Sequence, residues 1–263
     1  MKISVFASTP DLSLDLGAEY GYADNLNNAL ANSLKEGSSF TTTWASAGIA
    51  TSSPGTIHLY LKGSYDAVDY VAFHDLSVYG WTAQAGLISS VRESWLLKIS
   101  SSIGMRSYGD SDRDSIIYDF LFSLEHNTFS KLKPEITYRY SKNDAEESVF
   151  GYSSNKISIS GEFQIAQKGY LTLDYSVEFR ENTFYETSVI STPVIRGRRS
   201  SNTFGANQIA VKEDATVQTI SLLWDQSIYK GLYGLAGYSH FWGTSKLGDY
   251  TGQMISGGIG YKF

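Results

Sequence analysis

The chain has no cysteine, so disulfides, thiolate metal sites and cysteine nucleophiles are excluded. Proline is scarce, with 4 in 263 residues. No run of about 18 apolar residues occurs, so no segment reads as a membrane-spanning helix. Charge of one sign is also in short supply. A net charge of −6 and a pI near 5.2 exclude a basic surface for nucleic acid. Lys and Arg are scattered except at Arg196, Arg198 and Arg199. The opening Met1-Lys2-Ile3 resembles a signal-peptide start but lacks the apolar stretch of roughly 7–15 residues that would complete one. Glycine and tyrosine are plentiful, at 24 and 19, and favour turns and strands. A mean hydropathy of −0.20 is compatible with a membrane barrel, because only alternate strand residues need face lipid.

Period-two alternation dominates the chain. Leu12, Leu14, Leu16, Ala18, Tyr20 and Tyr22 share one parity, and Ser13, Asp15, Gly17, Glu19 and Gly21 the other. A helix would scatter these residues around its circumference, whereas a strand puts them on two faces. The pattern recurs from Ile57, Tyr79, Trp95, Ile116, Leu132, Ile157, Leu171 and Ile220 onward. Residues 39–50 are β-prone with a muddled alternation that suggests a bulge, and 231–242 form an ambiguous strand. About twelve strands result. The connections between them alternate long and short, from 23–38 and 51–55 through to 182–214, 227–230 and 243–250. That rhythm belongs to an up-and-down antiparallel membrane barrel with brief periplasmic turns and longer outer loops. It predicts an all-β transmembrane barrel over 11–263 with both termini in the periplasm. Residues 1–10 form an N-terminal stub cut off by Pro10, either a periplasmic segment or the tail of a missing upstream domain. Residues 25–35 predict a short helix in the first loop.

The last strand ends the chain on Phe263, with Ile255, Ile259, Tyr261 and Phe263 on one parity. It resembles the C-terminal strand of the Gram-negative outer-membrane β-barrel class. The resemblance implies residence in the outer membrane, contact with its lipid and lipopolysaccharide, and insertion by a barrel-assembly machinery that reads Ile259, Tyr261 and Phe263.

In a soluble barrel the apolar parity would face inward. Here that parity carries too many large rings, Trp81, Phe120, Tyr138 and Phe179 among them, many near strand ends where interfacial girdles sit. The charged parity therefore faces a lumen. Its members are Asp15, Glu19, Lys62, Lys98, Arg106, Asp119, Glu125, Lys133, Glu135, Arg139, Lys156, Glu162, Asp174, Glu178 and Arg180. Read functionally, they line a narrow mixed-charge pore for small solutes or a secreted polymer. Read structurally, they are an electrostatic zip that closes the lumen. The mixed signs speak against strong anion selectivity.

Other chemistry is thinly represented. Arg196, Arg198 and Arg199 offer a loop contact for anions, or simply sit in a surface loop. Asp110, Asp112 and Asp114 resemble the start of a calcium loop without its glycine and distal glutamate, and read as a solvated acidic turn. A barrel-borne lipid hydrolase needs a nucleophile, base and orienter together. His58, His74, His126 and His240 show no such grouping, and Ser239 and His240 point to opposite faces. No catalytic residue, metal or cofactor is expected. The expectation is a channel or export pore. A translocator or anchor domain of a larger protein, a lipid hydrolase and an adhesive surface barrel remain the alternatives.

Overall fold

The computed structural model describes residues 10–30, 34–51, 57–92, 94–126, 132–187, 198–201, 203–204 and 208–263. Thirteen strands follow one another: β1 (Asp11–Ala23), β2 (Ser38–Ala50), β3 (Ile57–Tyr70), β4 (Val78–Arg92), β5 (Trp95–Tyr108), β6 (Ser115–His126), β7 (Leu132–Ala145), β8 (Tyr152–Ala166), β9 (Gly169–Thr187), β10 (Arg198–Ser201), β11 (Gln208–Tyr229), β12 (Leu232–Ser245) and β13 (Gly248–Lys262). Each long strand pairs antiparallel with its sequence neighbour, β9 pairs with β11, and β1 pairs with β13. Twelve strands thus close into a ring with no free edge. The four-residue β10 pairs only with the start of β11 and stands outside the ring.

The alternation expected from the sequence is observed. Leu12, Leu61, Trp81, Met105, Phe120, Ile159, Phe179 and Ile259 are exposed on the outer wall. Ser100, Ser123, Ser154 and Ser176 on the opposite parity are buried. An exposed apolar wall around a polar interior suits hydrocarbon solvent rather than water.

Several expectations need correction. β2 pairs with β1 and β3 without any register shift, so no bulge is present. Its alternation looked muddled because its rings, Phe40 and Trp44, point inward while Thr41, Thr43, Ala45 and Ala47 face out. The 231–242 segment is a regular strand within β12. The 182–214 connection is shorter than predicted, because β9 continues to Thr187 and β11 begins at Gln208. The last connection is only 246–247, as tight as the turns on the opposite rim, so the long–short rhythm fails there. The helix predicted in 25–35 is not formed among the described residues. Asn25 and Asn27 instead capture backbone groups of Ala29, Leu34 and Glu36. Asparagine competes with helical hydrogen bonds in this way. Of the expected N-terminal stub at 1–10, all but Pro10 lies outside the described residues.

Candidate functional site

The inner wall is two-sided. Its β5–β9 sector is ionic. Lys98 sits between Glu125 at 2.6 Å and Glu135 at 3.5 Å, and Ser123 donates to Glu135. Lys133 meets Glu162 at 2.7 Å, and Arg180 meets Glu178 at 3.8 Å. Arg106 reaches Asp66 on β3 at 2.8 Å. Asp119 accepts from Ser102 and Ser141. Lys156 lies beside Asp174. These groups are partly exposed, so each pair contributes little net stability, but together they satisfy a wall that could not otherwise be polar. Arg139 and Lys62 are exposed on the inward parity and make no ion pair among the described residues.

The remaining sector carries rings laid over glycines. At five positions in three strand pairs, an inward ring stands directly opposite an inward glycine: Trp44 and Gly17, Phe40 and Gly21, Tyr60 and Gly86, Phe241 and Gly252, Tyr233 and Gly260. A Cβ at Gly17 would lie 2.2 Å from Cζ2 of Trp44, and one at Gly260 would lie 2.3 Å from Cζ of Tyr233. The rings therefore lie flat on the wall, where any larger residue would displace them. Trp44 and Tyr233 both donate to Oδ1 of Asp15. The ammonium of Lys262 sits 4.7 Å over the Tyr233 ring.

At the rim opposite the termini the lumen is spanned. The extension of β9 and β11 beyond the wall touches every other loop on that rim, including the two-residue turn at 246–247, where Lys246 meets Glu213. Asn28 in the first loop donates to the carbonyl of Thr183 at 3.1 Å. Thr183 donates to the carbonyl of Val149 at 2.8 Å, and Lys212 to that of Ser148 at 2.9 Å. Arg113, between β5 and β6, donates to the hydroxyl of Tyr185, and its guanidinium lies 4.1 Å over the Phe150 ring. Phe204 packs edge-on against Tyr185 at 4.7 Å and against Phe73, between β3 and β4, at 4.8 Å. Six strands separate the β9–β11 junction from the β3–β4 junction in either direction. A contact between them must cross the mouth. Buried apolar residues collect at this end: Phe184, Ala215, Val217 and Tyr250 in one cluster, and Val149, Phe150 and Ala210 in another. Burial holds the Tyr185 phenol above its ordinary pKa, with Arg113 pulling the other way.

The residues singled out in the sequence are dispersed through this frame. All of the predicted lining residues fall on the inward parity. Sequence reasoning missed Asp66 and the inward rings, whose only signal was a glycine at the opposite register position. It also missed the cap residues, which meet only in three dimensions. Arg196 lies outside the described residues. Arg198 and Arg199 form part of β10 by their backbone, and their side chains are outside the described set. The carboxylates of Asp110 and Asp114 are used locally, by Asp112 N and Tyr108 N. No metal-binding cluster occurs among the described residues. The histidines are apart: His58 contacts the Thr51 carbonyl, His74 lies near Asp69, His126 packs on Trp95, and His240 on Trp242. Ile259, Tyr261 and Phe263 end the last strand, with the Tyr261 and Phe263 rings 4.3 Å apart.

No protein-family model matches the chain, and no curated protein matches it in sequence. Solved structures do. The NanC porin superposes with a TM-score of 0.51 at 9% identity, covering 94% of this chain and 100% of that one. The KdgM porin gives 0.49 at 10% identity, covering 95% and 99%. The translocator domain of the autotransporter NalP from Neisseria meningitidis gives 0.45 at 15% identity, covering 95% and 87%. At such identities the likeness is one of fold: this chain is a closed twelve-stranded antiparallel β-barrel of the bacterial outer-membrane class.

Proposed function

We propose that the protein is an outer-membrane channel with a narrow, hydrated lumen that passes small hydrophilic solutes. The observation that carries this reading is the inward wall, on which Lys62 and Arg139 stay exposed beside compensated ion pairs. A lumen filled only to stabilise the barrel has no need of exposed ions. The hairpin across the mouth restricts the size of what enters. On this reading the termini face the periplasm and the capped rim faces outward. Ile259, Tyr261 and Phe263 then present the assembly machinery with an apolar strand end. The test is planar-bilayer recording of purified protein, beside a variant whose β9–β11 extension is replaced by a short turn. Step-like unitary currents that grow in the trimmed variant support the channel.

A second reading is favoured by the apolar clusters beneath the cap. A mouth packed in this way suits a barrel that is sealed and serves as an anchor or surface protein. Silence from both wild type and trimmed variant selects it.

A further inference from the structure

The charges of the inner wall are not distributed evenly, and their imbalance lies in one place. On β5–β9 the cations and carboxylates of the inward parity are equal in number and mostly in contact. On β3, Lys62 offsets Asp66, which also holds Arg106. At the capped rim the buried Glu213 is matched by Lys246 at 3.5 Å. What remains is the sector around the β1–β13 seam. Among the described residues it carries Asp11, Asp15, Glu19 and Asp225 on the inward parity against one cation, Lys262. Asp15 and Lys262 stand opposite each other in the strand register. Glu19 has no ion pair or hydrogen bond among the described residues, and it lies near the middle of β1.

The surroundings of these carboxylates favour cations too. The rings of Trp44 and Tyr233 lie flat on the wall beside them, and a ring face attracts positive charge. Lys262 already occupies such a position over Tyr233. A self-compensated wall gives a mobile ion no net field at a distance, because opposite charges in contact cancel. The seam sector is not compensated, so it sets the sign of the potential in the lumen.

We infer that the lumen prefers cations to anions, and that Glu19 is the principal selectivity-determining residue. This rests on the channel reading above. A unit charge roughly 10 Å from a permeating ion in a watery lumen changes its local concentration on the order of two-fold, and salt weakens the effect.

The test is the reversal potential in a KCl gradient at low ionic strength. Folding of each variant is verified by its heat-modifiable mobility in detergent gels. Wild type is expected to favour potassium. Glu19→Gln should lower the potassium-to-chloride permeability ratio by up to about four-fold, since the lost charge acts on the two ions in opposite senses, and Glu19→Lys should lower it further, toward chloride. The double variant Lys133→Met with Glu162→Gln removes a compensated pair and should leave the ratio unchanged. Unitary currents with no cation preference, or a ratio unmoved by Glu19→Lys, overturn this inference alone. Absence of current from wild type and from the cap-trimmed variant overturns the channel reading, and this inference falls with it.

Discussion

Trp44 on β2 and Tyr233 on β12 converge on one atom, Oδ1 of Asp15, at 3.4 and 2.8 Å. Their rings cover Gly17 on β1 and Gly260 on β13, which stand opposite each other across the closing seam. The first and last strands share nine paired positions, fewer than the strand pairs that flank them. Two rings and a shared acceptor thus strap the joint where chain closure has the fewest backbone bonds. Trp44→Ala removes a large packed ring, and losses of about 3–5 kcal/mol accompany such truncations. Asp15→Ala leaves two donors without their acceptor, at about 1–3 kcal/mol. Urea unfolding in lipid vesicles should show both. The double variant should fall short of the sum, since the two residues share one contact. Full additivity would break the link.

Glycine at the seam is required by contact, not by backbone dihedral. A Cβ at Gly17 would meet the Trp44 ring and, at 2.7 Å, the carbonyl oxygen of Ile259. A Cβ at Gly63, on the outer wall of β3, would meet nothing within 4 Å. Gly17→Ala should therefore destabilise the barrel by about 1–3 kcal/mol through overpacking. Gly63→Ala should be neutral or stabilising by about 0.5–1 kcal/mol, since a strand glycine is entropically costly. Equal midpoints for the two variants in the same unfolding assay would contradict the close approach at Gly17.

The clasp of the cap is Arg113. Its guanidinium bridges Phe150, Tyr185 and Thr203, and its Nε lies 3.5 Å from Asp110. Arg113→Ala should free the β9–β11 extension while leaving the barrel wall folded. Hydrogen exchange should accelerate for the amides pairing Tyr185 with Ala210, and stay unchanged in β5 and β6. Unitary conductance should rise in parallel. Protection unchanged at the cap would show that Phe204 against Phe73 holds the mouth without help.

The barrel was legible because its rule is local. Leu12 to Tyr22 declare two faces in eleven residues, and the same rule repeats around the ring. β2 obscured it, since a face of Thr41, Thr43, Ala45 and Ala47 looks no greasier than one bearing Phe40 and Trp44. Its inward rings make sense only beside Gly17 and Gly21, which means only after the register is known. The cap was illegible for a stronger reason. Phe73, Arg113, Phe150, Tyr185 and Phe204 come from four separate segments, and no periodicity marks them as neighbours. The charges share the parity opposite the exposed apolar wall, which the alternation alone displays, but their imbalance needed the pairings. Equal numbers of signs conceal that one sector is neutralised and the other is not.

The cap also has an alkaline limit. Burial disfavours the Tyr185 phenolate, so the clasped phenol titrates above its ordinary value of 10.0, although Arg113 opposes the shift. A released hairpin exposes the phenol, which then ionises near the ordinary value. Below about pH 10 both states hold the proton and the clasp is unaffected. Above it the released state loses a proton that the clasped state keeps, so rising pH favours release. The stabilisation is thus present at neutral pH and lost as pH climbs through the raised pKa. Phenolate absorbance of wild type minus Tyr185→Phe should titrate with a midpoint above 10, and Arg113→Ala should bring it back down as the ring becomes exposed. Channel opening between pH 9 and 11 should be steeper in wild type than in Tyr185→Phe. A difference midpoint at or below 10 would mean that the phenol is hydrated and that no ring closes the mouth there.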